Sequence, residues 1–176
     1  MMRNVKTFRP EALIGLQEFR SFVESFESEL LRGISTLSVL SVIQKHSHEG
    51  IYGYQLLKDL ETETKSTLVI EEGTLYPILR KLEKEGILFS EKRDTKGRQR
   101  KYYLLTEKGE KLLDHMKGFF SKLTEAIAPL VGFEIELPKE IFYCPNCANK
   151  INAKEYADGE IKFCNICGLY IEELLK

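Results

Sequence analysis

Residues 71–86, EEGTLYPILRKLEKEG, constrain the fold more than any other stretch, because their proline permits few placements. Pro77 lacks the amide donor that an interior helical turn requires, so a helix running through it must begin close before it. Thr74 is the expected N-cap, and Gly86 the expected stop. At about 100° per residue, Leu75, Leu79 and Leu82 fall within about 40° of one line with Ile78 beside them, while Tyr76, Pro77, Arg80 and Lys84 gather on the far side. One face is core; the other is basic and aromatic.

The charge balance around this helix is uneven. The whole chain carries a net charge of -1, yet residues 76–106 hold nine Lys/Arg against four Asp/Glu, and residues 34–75 hold three against six. A basic island in a neutral chain points to one anionic partner met on one face. After the helix come two extended runs, ILFSEKR and RQRKYYLLT, joined by DTKG, which read as a β-hairpin with a cationic tip. Lys92, Arg93, Lys96, Arg98, Arg100 and Lys101 there oppose only Asp94 within the tip and its flanks.

Upstream, Ala12, Leu13, Leu16, Phe19, Val23 and Phe26 have the spacing of one helix face, and a second helix is expected over 30–45, apolar on nearly all sides. HSHEGIYG reads as a loop, and YQLLKDLETE as a short amphipathic helix. From Thr106, Leu112, Met116, Phe119, Phe120, Leu123, Ile127 and Leu130 form the seam of a long helix, ended by Pro129, Gly132 and Pro138. Three helices, a hairpin and a long helix make a winged helix-turn-helix, in which one helix enters the major groove and the hairpin lies along phosphates.

These residues resemble the PadR-like transcriptional regulators. The resemblance lies in LLRGISTLSVLSVI, IYGYQLLKDL, GTLYPILRKLEKEGIL and GRQRKYYLLTEKG, in that order, and covers about residues 30–113. It implies a homodimeric winged-helix protein, mostly a repressor in this family, that binds double-stranded DNA at a palindromic operator and dimerises through its C-terminal helices. Carried over by position, it places Tyr52 and Tyr54 at the start of the motif's second helix, Thr74, Tyr76, Arg80 and Lys81 on the recognition helix, and Arg98 and Arg100 in the wing. Lys84, on the same helix face, and Lys96, at the hairpin tip, complete the expected DNA contacts. A pocket between the terminal helices would accept an apolar effector.

All four cysteines lie in FYCPNCANKINAKEYADGEIKFCNICG, as Cys144/Cys147 and Cys164/Cys167. Two Cys-x-x-Cys pairs supply the four thiolates of a tetrahedral Zn²⁺ site, one ion per chain, with a hairpin turning at Asp158-Gly159 expected between them. The pattern resembles a zinc ribbon; Ala148 stands where a first knuckle commonly has glycine. With four Lys/Arg against five Asp/Glu over residues 142–176, this tail is no strong phosphate binder, and it reads as a stabilising or protein-contacting module. Iron or a redox dithiol stays open as an alternative to zinc.

The expected fold class is therefore mainly α with a small β component: an N-terminal helical extension over 1–29, a winged helix over 30–107, a dimerisation helix and linker over 108–137, and a zinc ribbon over 138–176. No Gly-x-Gly-x-x-Gly, P-loop or nucleophile elbow occurs, and His46, His48 and His115 are scattered, so the chain does not read as an enzyme. It has no apolar run long enough to span a bilayer and no signal-peptide pattern, so no membrane partner and a cytoplasmic location are expected. Two other functions fit the same parts: a transcription-machinery adaptor laid out like the archaeal general transcription factor E, and a zinc-thiolate redox sensor.

Overall fold

A computed structural model describes residues 17–95, 97–133, 141–144, 146–147, 149–159 and 161–171. Its described part is mainly helical with a small antiparallel sheet, and the chain divides into two compact units, Met1–Glu110 and Lys111–Lys176. The first unit contains helix α1 (Gln17–Lys45), strand β1 (Ile51–Tyr52), helices α2 (Gly53–Glu63) and α3 (Glu72–Lys84), and strands β2 (Leu88–Thr95) and β3 (Arg98–Leu105). Helix α4 (Glu107–Ile127) runs across the division, and a 3₁₀ turn, Ala128–Val131, follows it.

The two helices expected over 12–26 and 30–45 form a single α1 where described. Neither glycine nor proline separates them, and Gly33 sits inside the helix at an open position. Ala12, Leu13 and Leu16 lie outside the described residues. The segment expected as a loop contains β1, which pairs antiparallel with β3 in the register Ile51↔Tyr103 and Tyr52↔Tyr102. Two strand residues are too few for alternation to reveal them in a sequence. His46 also has a carboxylate partner that sequence spacing could not show: its Nε2 lies 2.9 Å from Asp59 Oδ2, across from the end of α1 to α2.

Helix α3 keeps its predicted faces and corrects its predicted start. Leu75, Leu79 and Leu82 are buried, whereas Tyr76, Arg80, Lys81 and Lys84 are exposed. The N-cap is Glu71, not Thr74, and no side chain caps it. Thr74 lies inside the first turn because both its own N–H and that of Leu75 donate to the Glu71 carbonyl, at 2.9 and 3.0 Å. Pro77 is tolerated farther into the helix than expected. The carbonyl it leaves without an amide partner belongs to Gly73, an exposed residue open to water. At the other end Gly86 takes φ +69° and donates to the Glu83 carbonyl (3.0 Å), while Ile87 donates to that of Leu82 (2.9 Å), the paired bonds of a Schellman stop.

The wing pairs in full register from Leu88↔Leu105 to Thr95↔Arg98, and the sheet order is β1-β3-β2. Thr106 joins wing to α4: its hydroxyl donates to the Gly86 carbonyl (2.8 Å) and accepts from the Gly109 N–H (3.0 Å). The first unit's core includes Val39, Leu40, Ile43, Ile51, Leu56, Leu60, Leu75, Leu79, Ile87, Leu88 and Tyr103, all buried. At roughly 1.5–3 kcal/mol per buried large apolar side chain, this set supplies the unit's main driving force.

In the second unit, β4 (Ile141–Tyr143) pairs with β5 (Lys150–Asn152), and a short helix α5 (Ala153–Ala157) follows. The hairpin expected between the cysteine pairs is thus overturned. The first pair itself forms the hairpin's turn, and Asp158-Gly159 closes α5, which Asn152 caps by accepting from the Lys154 N–H at 3.0 Å. That short polar cap outcompetes a β-turn here. The second pair is clasped by an antiparallel bridge, Phe163↔Tyr170.

Candidate nucleic-acid interface and cysteine centre

Because β1 pairs only with Tyr102 and Tyr103, the edge of β3 from Arg98 to Lys101 has no strand partner on that side among the described residues. A groove of about 480 Å³ runs along it, lined by Tyr52, Gly53 and Tyr54 at the start of α2, Tyr76 on α3, and Arg98, Gln99, Arg100, Lys101 and Tyr103 on β3. Five of the residues singled out in the sequence, Tyr52, Tyr54, Tyr76, Arg98 and Arg100, therefore meet on one surface although four separate elements, β1, α2, α3 and β3, carry them. Tyr54 is 66% exposed and Tyr76 38%.

Close packing sets the groove's floor. A Cβ on Gly53 would lie 2.7 Å from the Tyr76 hydroxyl, so only glycine lets the α3 tyrosine lean on the first residue of α2. Glu83 pins the other side of α3 to the wing: its carboxylate accepts from Lys101 Nζ at 2.8 Å and from Ser90 Oγ at 2.5 Å. Burial pushes the Glu83 carboxyl up, but the hydrogen bonds from Lys101 and Ser90 and the Lys101 charge outweigh it and hold the group below its ordinary value. The same hydrogen bond raises Lys101. Burial raises the Tyr103 phenol.

The remaining predicted residues separate. Arg80, Lys81 and Lys84 are exposed on α3 outside the groove lining, with Lys81 Nζ 4.0 Å from Glu85. Thr74 is half-buried in the first turn of α3. Lys96 lies outside the described residues. Sequence reasoning did not pick Gly53, Gln99, Lys101 or Tyr103 as groove residues. The period-two alternation through RQRKYY held a usable signal for the three wing positions, since a strand edge exposes both of its faces.

The four predicted cysteines come together. Their sulfurs all lie within 4.8 Å of one another, with Cys144–Cys167 and Cys147–Cys164 each at 3.5 Å, and no disulfide joins them. A tetrahedral ion with bonds of about 2.3 Å to sulfur needs edges of about 3.8 Å, so the four could hold a metal ion with little movement. Burial raises the Cys144 thiol and pushes Cys147 up to about 12, whereas a hydrogen bond from Asn146 and the Leu169 N–H bring Cys167 down to about 6. Asn149, itself buried, donates to Cys164 Sγ at 3.7 Å and to Asn165 Oδ1 at 2.6 Å, tying the two pairs together. The sequence signal that was missed is three asparagines, Asn146, Asn149 and Asn165, each within two residues of a cysteine.

Comparison with known proteins bears on the first of these sites. The profile of the transcriptional regulator PadR-like family matches residues 39–115. A PadR family transcriptional regulator from Eggerthella lenta is 34% identical, over 66% of this chain and 94% of its own, with a TM-score of 0.53. The chain belongs to the PadR-like family. Another structure, a transcriptional regulator from Clostridium thermocellum, is 27% identical over 58% of this chain and 98% of its own, with a TM-score of 0.53. A transcriptional regulator of Mycobacterium tuberculosis is 28% identical over 50% of this chain and 79% of its own. The matched PadR-like stretch contains the whole groove and ends before Cys144. Among the described residues no helix is long and apolar enough to cross a membrane.

Proposed function

We propose that this PadR-like chain is a homodimeric, sequence-specific transcriptional regulator, a repressor, that binds duplex DNA through α3 and the wing and carries one structural Zn²⁺ on its four cysteines. The observation that carries this reading is the groove, which gathers aromatic and cationic side chains from β1, α2, α3 and β3 on a single surface. Exposed Arg80 and Lys84 continue that surface along α3, where base edges are read, while Arg98 and Arg100 on the wing take phosphates. Dimerisation is supported by apolar side chains left in solvent: Phe119, Phe120, Leu123, Ile127 and Leu130 on α4 and the 3₁₀ turn, and Phe22, Phe26 and Leu30 on α1. Leu130 is 84% exposed, a costly state for one chain alone that a second copy would relieve. Zinc is supported by four sulfur donors at near-tetrahedral spacing; when bound it supplies cross-linking of the two pairs and no redox chemistry.

Selection of bound duplexes from a random pool, with oligomer mass measured in parallel, tests the proposal. The expected result is a two-fold symmetric consensus bound by a dimer. With about 6 to 10 phosphates neutralised, affinity should fall roughly a thousandfold or more between about 50 and 200 mM salt. Enrichment of no sequence, or salt-independent binding, would overturn it.

A further inference from the structure

The hairpin register creates an electrostatic conflict. Arg93 on β2 stands directly opposite Arg100 on β3, and like charges facing each other across a ladder repel. Each arginine is drawn to a different aromatic ring. The Arg93 guanidinium lies 4.7 Å from the Tyr102 ring centroid, and that of Arg100 lies 4.2 Å from the Tyr52 centroid. The two rings meet edge to face, 5.5 Å apart at 65°, because the β1–β3 register sets Tyr52 opposite Tyr102. The result is a ladder, Arg93–Tyr102–Tyr52–Arg100, that spans all three strands.

The two arginines differ in what remains of their hydrogen-bonding capacity. Arg93 donates through Nε to Glu91 Oε1 at 2.6 Å, through Nη2 to the same carboxylate, and through Nη1 to the Glu49 carbonyl. Three of its five N–H donors, one on each nitrogen, are thus committed to the protein. Arg100 makes no ion pair with a carboxylate among the described residues, and contact with a ring consumes no N–H donor. Yet Arg100 lines the groove beside Arg98 and Tyr54.

We infer that Tyr52 is a positioning residue, whose ring parts Arg100 from Arg93 and holds its guanidinium toward the groove with its donors free for a backbone phosphate, while Arg93 is a structural arginine. This rests on the DNA-binding reading above and refines it: Tyr52, a DNA contact in the sequence reading, acts through Arg100, and a cation count of the wing overstates its phosphate contacts by one. A phosphate is the fitting ligand because the guanidinium fork matches two of its oxygens.

The test uses the full-length protein and four variants, Tyr52→Leu, Tyr52→Phe, Arg100→Ala and the double variant Tyr52→Leu/Arg100→Ala, on a duplex recovered by the selection described above. Tyr52→Leu should weaken binding roughly tenfold per wing, as loss of one charge-assisted bond does. It should also lower the salt slope by about one phosphate per wing, as Arg100→Ala does. In the Arg100→Ala background the same change should cost nothing further. Tyr52→Phe, which keeps the ring, should recover most of the loss. Additive losses in the double variant, or Tyr52→Phe as damaging as Tyr52→Leu, would show that Tyr52 acts independently of Arg100. Without DNA, the Arg100 Nε–H resonance should carry a ring-current shift that Tyr52→Leu abolishes. If that shift is present and the wild type binds no duplex, the DNA reading falls and the positioning stands; if the shift is absent, the positioning falls whatever the protein binds.

Discussion

The two units of this chain hold themselves together by different means. In the first, buried Leu, Ile and Val from three helices and a sheet meet in one apolar core, and polar groups such as Glu83 only trim the edges. In the second, the cluster around the cysteines has four buried members, Cys144, Ile151, Cys164 and Ile171, and two of them are thiols. The cysteine-bearing stretch from about residue 138 onward is below the roughly 40 residues that close an apolar core without a staple. On the proposed zinc reading its stability comes from the ion the sulfurs hold, so the first unit is stable by composition and the cysteine stretch by ligation. The same chain thus predicts two kinds of failure.

The largest expected effect is on ligation. Structural zinc in modules of this kind is worth on the order of 10 kcal/mol, so chelation, or Cys164→Ser, should unfold residues 141–171. Hydrogen exchange on the full-length protein should show protection lost there while the amides of α2, α3 and the wing keep theirs. Loss of protection in both units at the same chelator concentration would break the comparison.

A core substitution should do the converse. Leu79 is fully buried on α3, and Leu79→Ala should cost about 2–5 kcal/mol, measured by denaturant unfolding of the first unit. The metal content of the protein, measured after gel filtration, should stay at one ion per chain. A drop in metal content would mean that the cysteine unit depends on the first for its fold.

How legible each unit is in the sequence follows from the same difference. Leu75, Leu79 and Leu82 reveal α3 because burial on one face imposes a period, and the wing announces itself by two β-rich runs around a glycine turn. Cys144, Cys147, Cys164 and Cys167 reveal their cluster because two Cys-x-x-Cys pairs have the spacing that metal ligation would impose. What escaped obeys neither rule. Strand β1 is two residues long, the start of α3 is set by backbone bonds to Glu71 rather than by Thr74, and α5 with its Asn152 cap displaced the expected hairpin. In the groove, the choice between Arg93 and Arg100 depends on which strand residue faces which, a register fixed by tertiary pairing that no local pattern encodes.

The smallest effect sharpens the comparison most finely, because both units respond to acid for separate reasons. Glu83 has a carboxyl held below its ordinary value of 4.5, so the stability it contributes is fully present above that value and is lost as pH falls through the folded-state value. Lys101, raised above 10.5, stays charged throughout this range. Glu83→Gln keeps the shape and removes the charge; its deficit, under about 1 kcal/mol for a pair open to solvent, should be present at neutral pH and shrink toward zero in acid. Unfolding of the first unit measured across the acid range should show the two curves converging, with or without added zinc. In the second unit, with the proposed Zn²⁺ bound, acid would protonate the thiolates and release the ion, so its loss should be steep and should move to lower pH as zinc is raised. A zinc-dependent shift in the Glu83 difference would mean that the two units do not stabilise themselves independently.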